Sequence, residues 1–447
     1  GGGGRGVGWM EKYRHEDDSN PNWKKHKKHV FIMSSAGKPI FSRYGNEELL
    51  NPIYGVMCSL VNFVSEQNDT LRCIYAGDHK IAFLVRGPVF LVMASRTGEP
   101  AAHLTRQLQF LYTQLVSILT RKGLEHVFRR RHGFDLRNLL GASGEQFLSN
   151  LASSMDAHKA SSSLPLQTSL SYLLGAPSCL RLPVAARQSI NRALLSVKNP
   201  NLTYAVLIAG HKLVQFVRPR KTALWAEDLL VIINLINSSS SFRASEGSWT
   251  PLCLPLYSPD ANVFAYIGFL GKYGAPDVCL VFISSRDDEF FNLSTSKHMV
   301  ATQLQESSAL GQIQYALRKP SFSIEEVESG GYGVARDVHH FVYVSTAFNQ
   351  LVAPCFAPPY TDKRLQQQLL RSYQEAHWRL HKRNRSERMQ FVVSNSHSML
   401  VWVDRDLELF VTLGPLTSRG LALAACSRLI KWIKREEQTL FITPQMW

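Results

Sequence analysis

Long apolar runs are missing from this chain. The richest stretch, Val263 to Leu270, is followed at once by Gly271 and Lys272, well short of the ~18 consecutive apolar residues of a bilayer-crossing helix. A soluble protein, peripheral to membranes at most, is expected. Cysteine is sparse and scattered. The seven residues, at 58, 73, 179, 253, 279, 355 and 426, are odd in number and form no Cys-x-x-Cys pair, so no disulfide framework or cysteine zinc site is encoded. The opening letters GGGGRGVGWM show no basic-then-apolar signal pattern. A reducing cytosolic compartment is therefore expected, and the sequons starting at Asn68, Asn201, Asn292 and Asn384 read as coincidence.

The signatures of common catalytic machinery are absent too. No GxxxxGK[ST] occurs, because Gly37-Lys38 and Gly271-Lys272 lack both the upstream glycine and the following hydroxyl. A GxGxxG match at Gly1, Gly3 and Gly6 sits in a low-complexity stretch with no preceding strand, which removes its meaning as a dinucleotide fingerprint. Gly141-Ala142-Ser143-Gly144 has the wrong spacing for a nucleophile elbow. Asp287, Asp288 and Glu289 follow a strand, where acids complement the start of a helix dipole without any catalytic role. His377 and His381 are four apart on a helical pattern, a spacing that presents two imidazoles on one face. No neighbouring acid, cysteine or histidine completes the set, so a solvated basic helix face is expected. His339 and His340 alternate faces of a strand and cannot share one site.

Acid is in shorter supply than base: 35 Asp plus Glu against 50 Lys plus Arg leave a formal charge of +15. That surplus favours polyanions such as nucleic acid, an acidic partner or an anionic membrane surface. The bases cluster only in short runs: Lys24, Lys25, Lys27 and Lys28; Arg129 to Arg131; and Lys382, Arg383, Arg385 and Arg388. The nearest aromatic-basic candidate for nucleic-acid readout, Phe41, Arg43 and Tyr44, is better explained as strand packing, so no nucleic-acid partner is expected.

What the chain does have is enough apolar material, 45% of 447 residues, for about three compact units at ~150 residues each. A pattern recurs three times. HVFIMSS and PIFSRYG flank the turn at Ala36-Gly37-Lys38 as a hairpin. A helix follows, with Ile53, Val56, Met57, Leu60, Val61 and Val64 at helical spacing behind Asn51-Pro52. LRCIYAG, KIAFLVR and VFLVMAS then read as strands. A long helix closes the unit with the stripe Leu104, Leu108, Leu111, Leu115, Ile118 and Leu119, leaving Arg106 and Gln114 to water.

The second copy runs LTYAVLIA, LVQFVRP, the helical ALWAEDLLVIINLINS, then TPLCLPLYS, VFAYIGFL and VCLVFISS, with a helical stretch from about 286 to 317. The third runs HHFVYVS, QLVAPCF, a helix from about 361 to 381, then RMQFVVS, MLVWVD, LELFVTL and a final helix carrying Leu421, Ala425, Leu429, Trp432 and Ile433. The fold class is α/β: three sandwiches, each a central antiparallel sheet flanked by helices. The expected division is a flexible segment 1–27, a first domain 28–122, a helical connector with a mobile loop 123–200, a second domain 201–330 and a third 331–447. Isolated Trp9 and Trp23 in the polar start belong to the flexible part.

Four separated blocks say more: KHVFIMSSAGKPIFSRYGNEELL, CLRLPVAARQSIN, NSSSSFRASEGSWTPLCLP and RLIKWIKREEQTLFITP. In this order they resemble the SAND family, that of the Mon subunit of the Mon–Ccz complex of late-endosomal and vacuolar fusion, from about Lys28 onward. The acidic N-terminal extension common in that family is not evident in these letters. The resemblance implies three longin domains and a role as half of a guanine nucleotide exchange factor for the late-endosomal Rab GTPase, with no cofactor, no metal and no covalent chemistry. It further implies pairing of the first longin domain with its Ccz counterpart and a composite GTPase surface. Recruitment by the early-endosomal Rab, a third scaffold-like subunit in animals, and peripheral association with phosphoinositide-rich, anionic endosomal and vacuolar or lysosomal membranes also follow from it.

On that resemblance the candidates for the GTPase surface are Lys38, Pro39, Arg43, Tyr44, Asn46 and Tyr54, with Trp249 from the SWTP block. Lys24, Lys25, Lys27 and Lys28 are the candidates for a membrane. The alternative reading is a non-catalytic coat or adaptor subunit built of longin modules.

Overall fold

The computed structural model describes residues 13, 15–130, 134–156, 166–271, 277–319, 322–327, 338–381 and 388–447. The start with Trp9, Arg131, the serines near 160, and Lys382, Arg383 and Arg385 lie outside them. Two compact units result, residues 1–163 with 258–261, and residues 164–257 with 262–447.

In the first unit the elements are α1 (Pro21–Lys25), β1 (Lys28–Ser34), β2 (Pro39–Ser42), α2 (Asn51–Glu66), β3 (Cys73–Ala76), β4 (His79–Arg86), β5 (Val89–Ser95), α3 (Ala101–Leu119), α4 (Arg121–Arg130) and α5 (Arg137–Ser154). The sheet order is β2-β1-β5-β4-β3, antiparallel throughout. Strand β1 is internal, with both faces covered, which is why it reads as a continuous apolar run rather than an alternation. Phe31 and Met33 join Tyr54, Met57 and Val61 of α2 in one core. By alternation Val30 and Ile32 face the other way, the side that α3 covers with Leu104, Leu108, Leu111 and Leu115.

Two expectations change here. Residues 15–27 are not loose: the Trp23 indole N–H donates to the Tyr44 carbonyl at 3.2 Å, and the His26 ring stacks on Tyr44 with centroids 3.7 Å apart. Gln114 does not face water. It is buried, because α5 packs along α3, and its amide donates to the Ser117 hydroxyl at 2.8 Å. Helices α4 and α5, within the stretch read as a connector, thus pack on α3.

The second unit holds α6 (Leu166–Leu174), α7 (Val184–Leu195), β6 (Leu202–Ala209), β7 (Lys212–Arg218), α8 (Ala226–Ser238), α9 (Ser241–Ala244), β8 (Ser248–Leu252), β9 (Val263–Leu270), β10 (Val278–Ser284), α10 (Phe290–Glu306), α11 (Ala309–Arg318) and α12 (Ile324–Val327). It continues with β11 (Val338–Ser345), β12 (Gln350–Val352), α13 (Lys363–His381), β13 (Met389–Val393), β14 (Ser398–Val403), β15 (Leu407–Leu413), α14 (Arg419–Arg435), α15 (Glu437–Leu440) and β16 (Gln445–Met446). The helical stretch read from 286 to 317 is two helices, broken where Ser308 takes a left-handed φ of 56°.

The sheets are β16-β7-β6-β10-β9-β8 and β12-β11-β15-β14-β13. Leaving β16 aside, all three sheets share one order: second strand, first, fifth, fourth, third. The three-copy α/β reading therefore holds at the level of topology. Strand β16 was not anticipated. It adds parallel to β7, so the sequence end of the third copy completes the second sheet.

Candidate functional site

The β1–β2 turn is built around Gly37, whose φ of 75° favours glycine. Lys38 follows, exposed, with its backbone N–H donating to the Ser34 hydroxyl at 3.1 Å. Lys38 and Pro39 line a depression of about 210 Å³ with Glu48, Asn51, Asp135 and Arg137. Arg137 grips Asp135 through Nε and Nη2 at 3.0 and 2.7 Å, and these hydrogen bonds hold the Asp135 carboxyl below its usual range. Beside it, burial and then the nearby Glu145 push the Glu47 carboxyl up to about 7. The hairpin thus presents charged side chains of both signs, Lys38 and Arg137 with Glu48 and Asp135, around a small concavity. Asn46 is half-buried, and its side-chain oxygen accepts from the Glu48 N–H at 2.9 Å.

Three other candidates are not on the surface. Arg43 is 1% exposed, 3.1 Å from the Asp156 carboxylate and stacked over the Tyr44 ring at 5.1 Å. Tyr44 is buried against His26, which pushes its hydroxyl up to about 12. Tyr54, expected on the GTPase surface, is wholly buried and donates to the Phe41 carbonyl at 3.2 Å. These residues brace the hairpin from behind; they cannot touch a partner directly. Lys28 is corrected likewise: at 2% exposure it is ion-paired with buried Glu99 and unavailable to a membrane, whereas Lys24, Lys25 and Lys27 stay exposed. Trp249 belongs to the second unit. It is half-buried, donating to the Asp287 carbonyl at 3.1 Å and stacked on Phe264 with centroids 5.8 Å apart.

The structure adds a feature that motif reasoning missed. Helix α2 carries two apolar stripes. Tyr54, Met57, Cys58 and Val61 pack on the sheet, while Val56, Leu60 and Phe63, one turn apart on another face, are 61%, 39% and 61% exposed. Between α2 and the strands lies an apolar groove of about 660 Å³, lined by Trp23, Val56, Leu60, Ile74, Ile81 and Phe83, with Lys24, Lys27 and Arg96 also at its wall. A contiguous exposed apolar patch of this kind marks an interaction surface. Its signal was in the letters, since six apolar positions on α2 span more than one seam.

In the second unit, Glu408 completes a group with His377 and His381 that sequence spacing alone had left as a pair. Among the described residues, no helix is long and apolar enough to cross a membrane.

Family models described as the first, second and third longin domains of FUZ, MON1 and HPS1 match residues 28–151, 200–302 and 337–437. Protein SAND of Takifugu rubripes is 37% identical over 98% of this chain and 80% of its own length. Vacuolar fusion protein MON1 homolog A of Macaca fascicularis is 35% identical over 96% of this chain and 73% of its own. The MON1 homolog of Arabidopsis thaliana is 31% identical over 99% and 74%. Among solved structures, a bacteriophytochrome from R. palustris aligns at 9% identity over 87% of this chain and 82% of that one with a TM-score of 0.16, which bears on nothing further.

Proposed function

Because this chain belongs to the SAND/MON1 family of vacuolar fusion proteins with three longin domains, we propose that it is one subunit of a heteromeric guanine nucleotide exchange factor for a late-endosomal Rab GTPase. In this reading the first longin domain pairs with a Ccz subunit, and the β1–β2 hairpin faces the GTPase. The complex is recruited by an early-endosomal Rab to phosphoinositide-rich membranes of endosomes and vacuoles or lysosomes, with a third scaffold-like subunit in animals.

The observation that supports this most is the second apolar stripe of α2, with Val56 and Phe63 61% exposed beside a groove that a second folded domain would cover. Exchange needs no bond-making residue. It needs a surface that binds the emptied, open-switch GTPase more tightly than the loaded one, and a thousandfold faster release takes only ~4 kcal/mol of such preference. A hairpin with Lys38 exposed over a mixed-charge depression fits that task, and Lys24, Lys25 and Lys27 give the same unit a cationic patch for an anionic leaflet.

The test is release of fluorescent GDP from the late-endosomal Rab, timed with the chain alone and with its Ccz partner. The pair is expected to accelerate release strongly and the single chain weakly, since the surface is shared. A pair that binds the GTPase yet leaves release unchanged would make the chain an adaptor instead.

A further inference from the structure

The third sheet holds a side-chain cluster that nucleotide exchange does not use. Helix α13 lies along β15, and three successive turns of the helix meet three alternate residues of the strand. At the buried end the Tyr373 hydroxyl lies 3.0 Å from the Thr412 hydroxyl. One turn on, the His377 ring faces Phe410 with centroids 6.4 Å apart. At the open end His381 Nε2 stands 3.3 Å from the Glu408 carboxylate. The two imidazoles are themselves close, with ring centroids 4.3 Å apart. One ligand atom from each of His377, His381 and Glu408 falls within 4.8 Å of the other two.

We propose that these three side chains form a binding site for a divalent zinc-class ion, which clips the C-terminal end of α13 to β15. Two imidazoles and one carboxylate are the donor set of late first-row ions, whereas calcium and magnesium require oxygen ligands. Metal–ligand distances of about 2.0–2.2 Å in a tetrahedron put neighbouring ligand atoms about 3.3–3.6 Å apart, and the His381–Glu408 separation of 3.3 Å already matches such an edge.

The framework is set in advance. Glu408 sits on an internal strand, flanked in register by Val344 and Val403, and Tyr373 is locked at the buried end of the same face. The His381 side chain is 41% exposed and that of Glu408 18%, so the ion has a path in and a fourth position open to water. The neighbouring cation Arg379 is occupied by Glu375 at 3.5 Å.

The experiment uses the full chain, prepared without a histidine tag and stripped of metal. Zinc is titrated in competition with a chromophoric chelator, and cobalt is added separately as a spectroscopic stand-in. The parent is expected to bind one zinc equivalent at this site and to give the visible absorption of tetrahedral cobalt. His381→Gln, His377→Ala and Glu408→Gln should each weaken zinc by about tenfold or more and abolish that absorption. His298→Ala, at a surface histidine 3.2 Å from Glu246, is the control and should change neither. His381 is exposed, so its near-isosteric glutamine variant keeps the test valid if another variant misfolds. Equal zinc affinity and equal cobalt spectra in the parent and His381→Gln would overturn the proposal and leave a plain His381–Glu408 ion pair.

Discussion

Glu99 is fully buried, and its carboxylate is held by the Lys28 ammonium, by the Thr97 hydroxyl at 2.5 Å and by the Gln107 amide at 3.1 Å. Gln107 also accepts from Lys28 at 3.1 Å, which closes the network. Burial opposes ionisation of Glu99, yet Lys28 and then His103 outweigh it and keep the group charged. Breaking one side is therefore costly: Lys28→Met should destabilise the first unit by about 3–5 kcal/mol, because it leaves a buried charge alone. Replacing both, Lys28→Met with Glu99→Leu, should recover much of the loss in a urea unfolding series. A neutral single variant would show that the pair carries no stability. The letters around Lys28 concealed this. In a run of four lysines nothing local distinguishes the one that enters β1 and turns inward, and its partner lies in a distant turn. Arg43 was obscured in the same way, since Asp156 is brought to it only by tertiary packing.

At the scale of elements, α2 is an ordinary sheet-packing helix on one side and an uncovered apolar surface on the other. Separate substitutions should resolve the proposed pairing with Ccz from the proposed exchange on the Rab. Val56→Asp with Phe63→Asp, on the outer stripe, should cost about 2 kcal/mol or more in Ccz binding, near thirtyfold in affinity, while leaving thermal unfolding of the free chain unchanged. Lys38→Glu should leave Ccz pairing intact and slow Rab nucleotide release by about tenfold, the effect of ~1.4 kcal/mol of lost preference. Co-purification and GDP-release kinetics on the same preparations check both. Unchanged pairing in the first variant would remove the stripe from the interface, and unchanged release in the second would remove the hairpin.

The strands and helices themselves were readable because their periods differ, 2.0 against 3.6. The three-copy order followed from that contrast. Which of the apolar positions on α2 would be covered was not readable, because periodicity reports a helix's own faces and says nothing of what lies opposite. The same limit applied at α13: the four-residue spacing of His377 and His381 was visible, whereas Glu408 joins them only through strand register.

Within the second unit, the two sheets are tied by segments that return from the third copy. Arg187 of α7 donates to the carbonyls of Leu180, Val214 and Thr439 at 2.8, 3.2 and 2.8 Å, gathering three chain segments on one guanidinium. Gln350 of β12 exchanges two hydrogen bonds with the Ile442 backbone, at 2.8 and 2.9 Å. Beyond these, Gln445 and Met446 pair with Val217 and Arg218, and Trp447 packs on the second core. Removing residues 445–447 should cost about 2 kcal/mol, the scale of two backbone hydrogen bonds, and lower the unfolding midpoint of the second unit by several degrees in calorimetry. An unaltered midpoint would mean that β16 adds nothing. So short a strand has no alternation to read, and its partner is fixed only once both sheets exist.

The pairing of β16 with β7 also bears on how the second sheet takes up tension. A load directed along that strand's axis strains its short ladder with Val217 and Arg218 all at once, whereas one directed across it parts the two residue pairs in turn. The pull of a bulky body tethered there would pass into the second sheet, whereas the same body hung on an exposed turn would load no ladder.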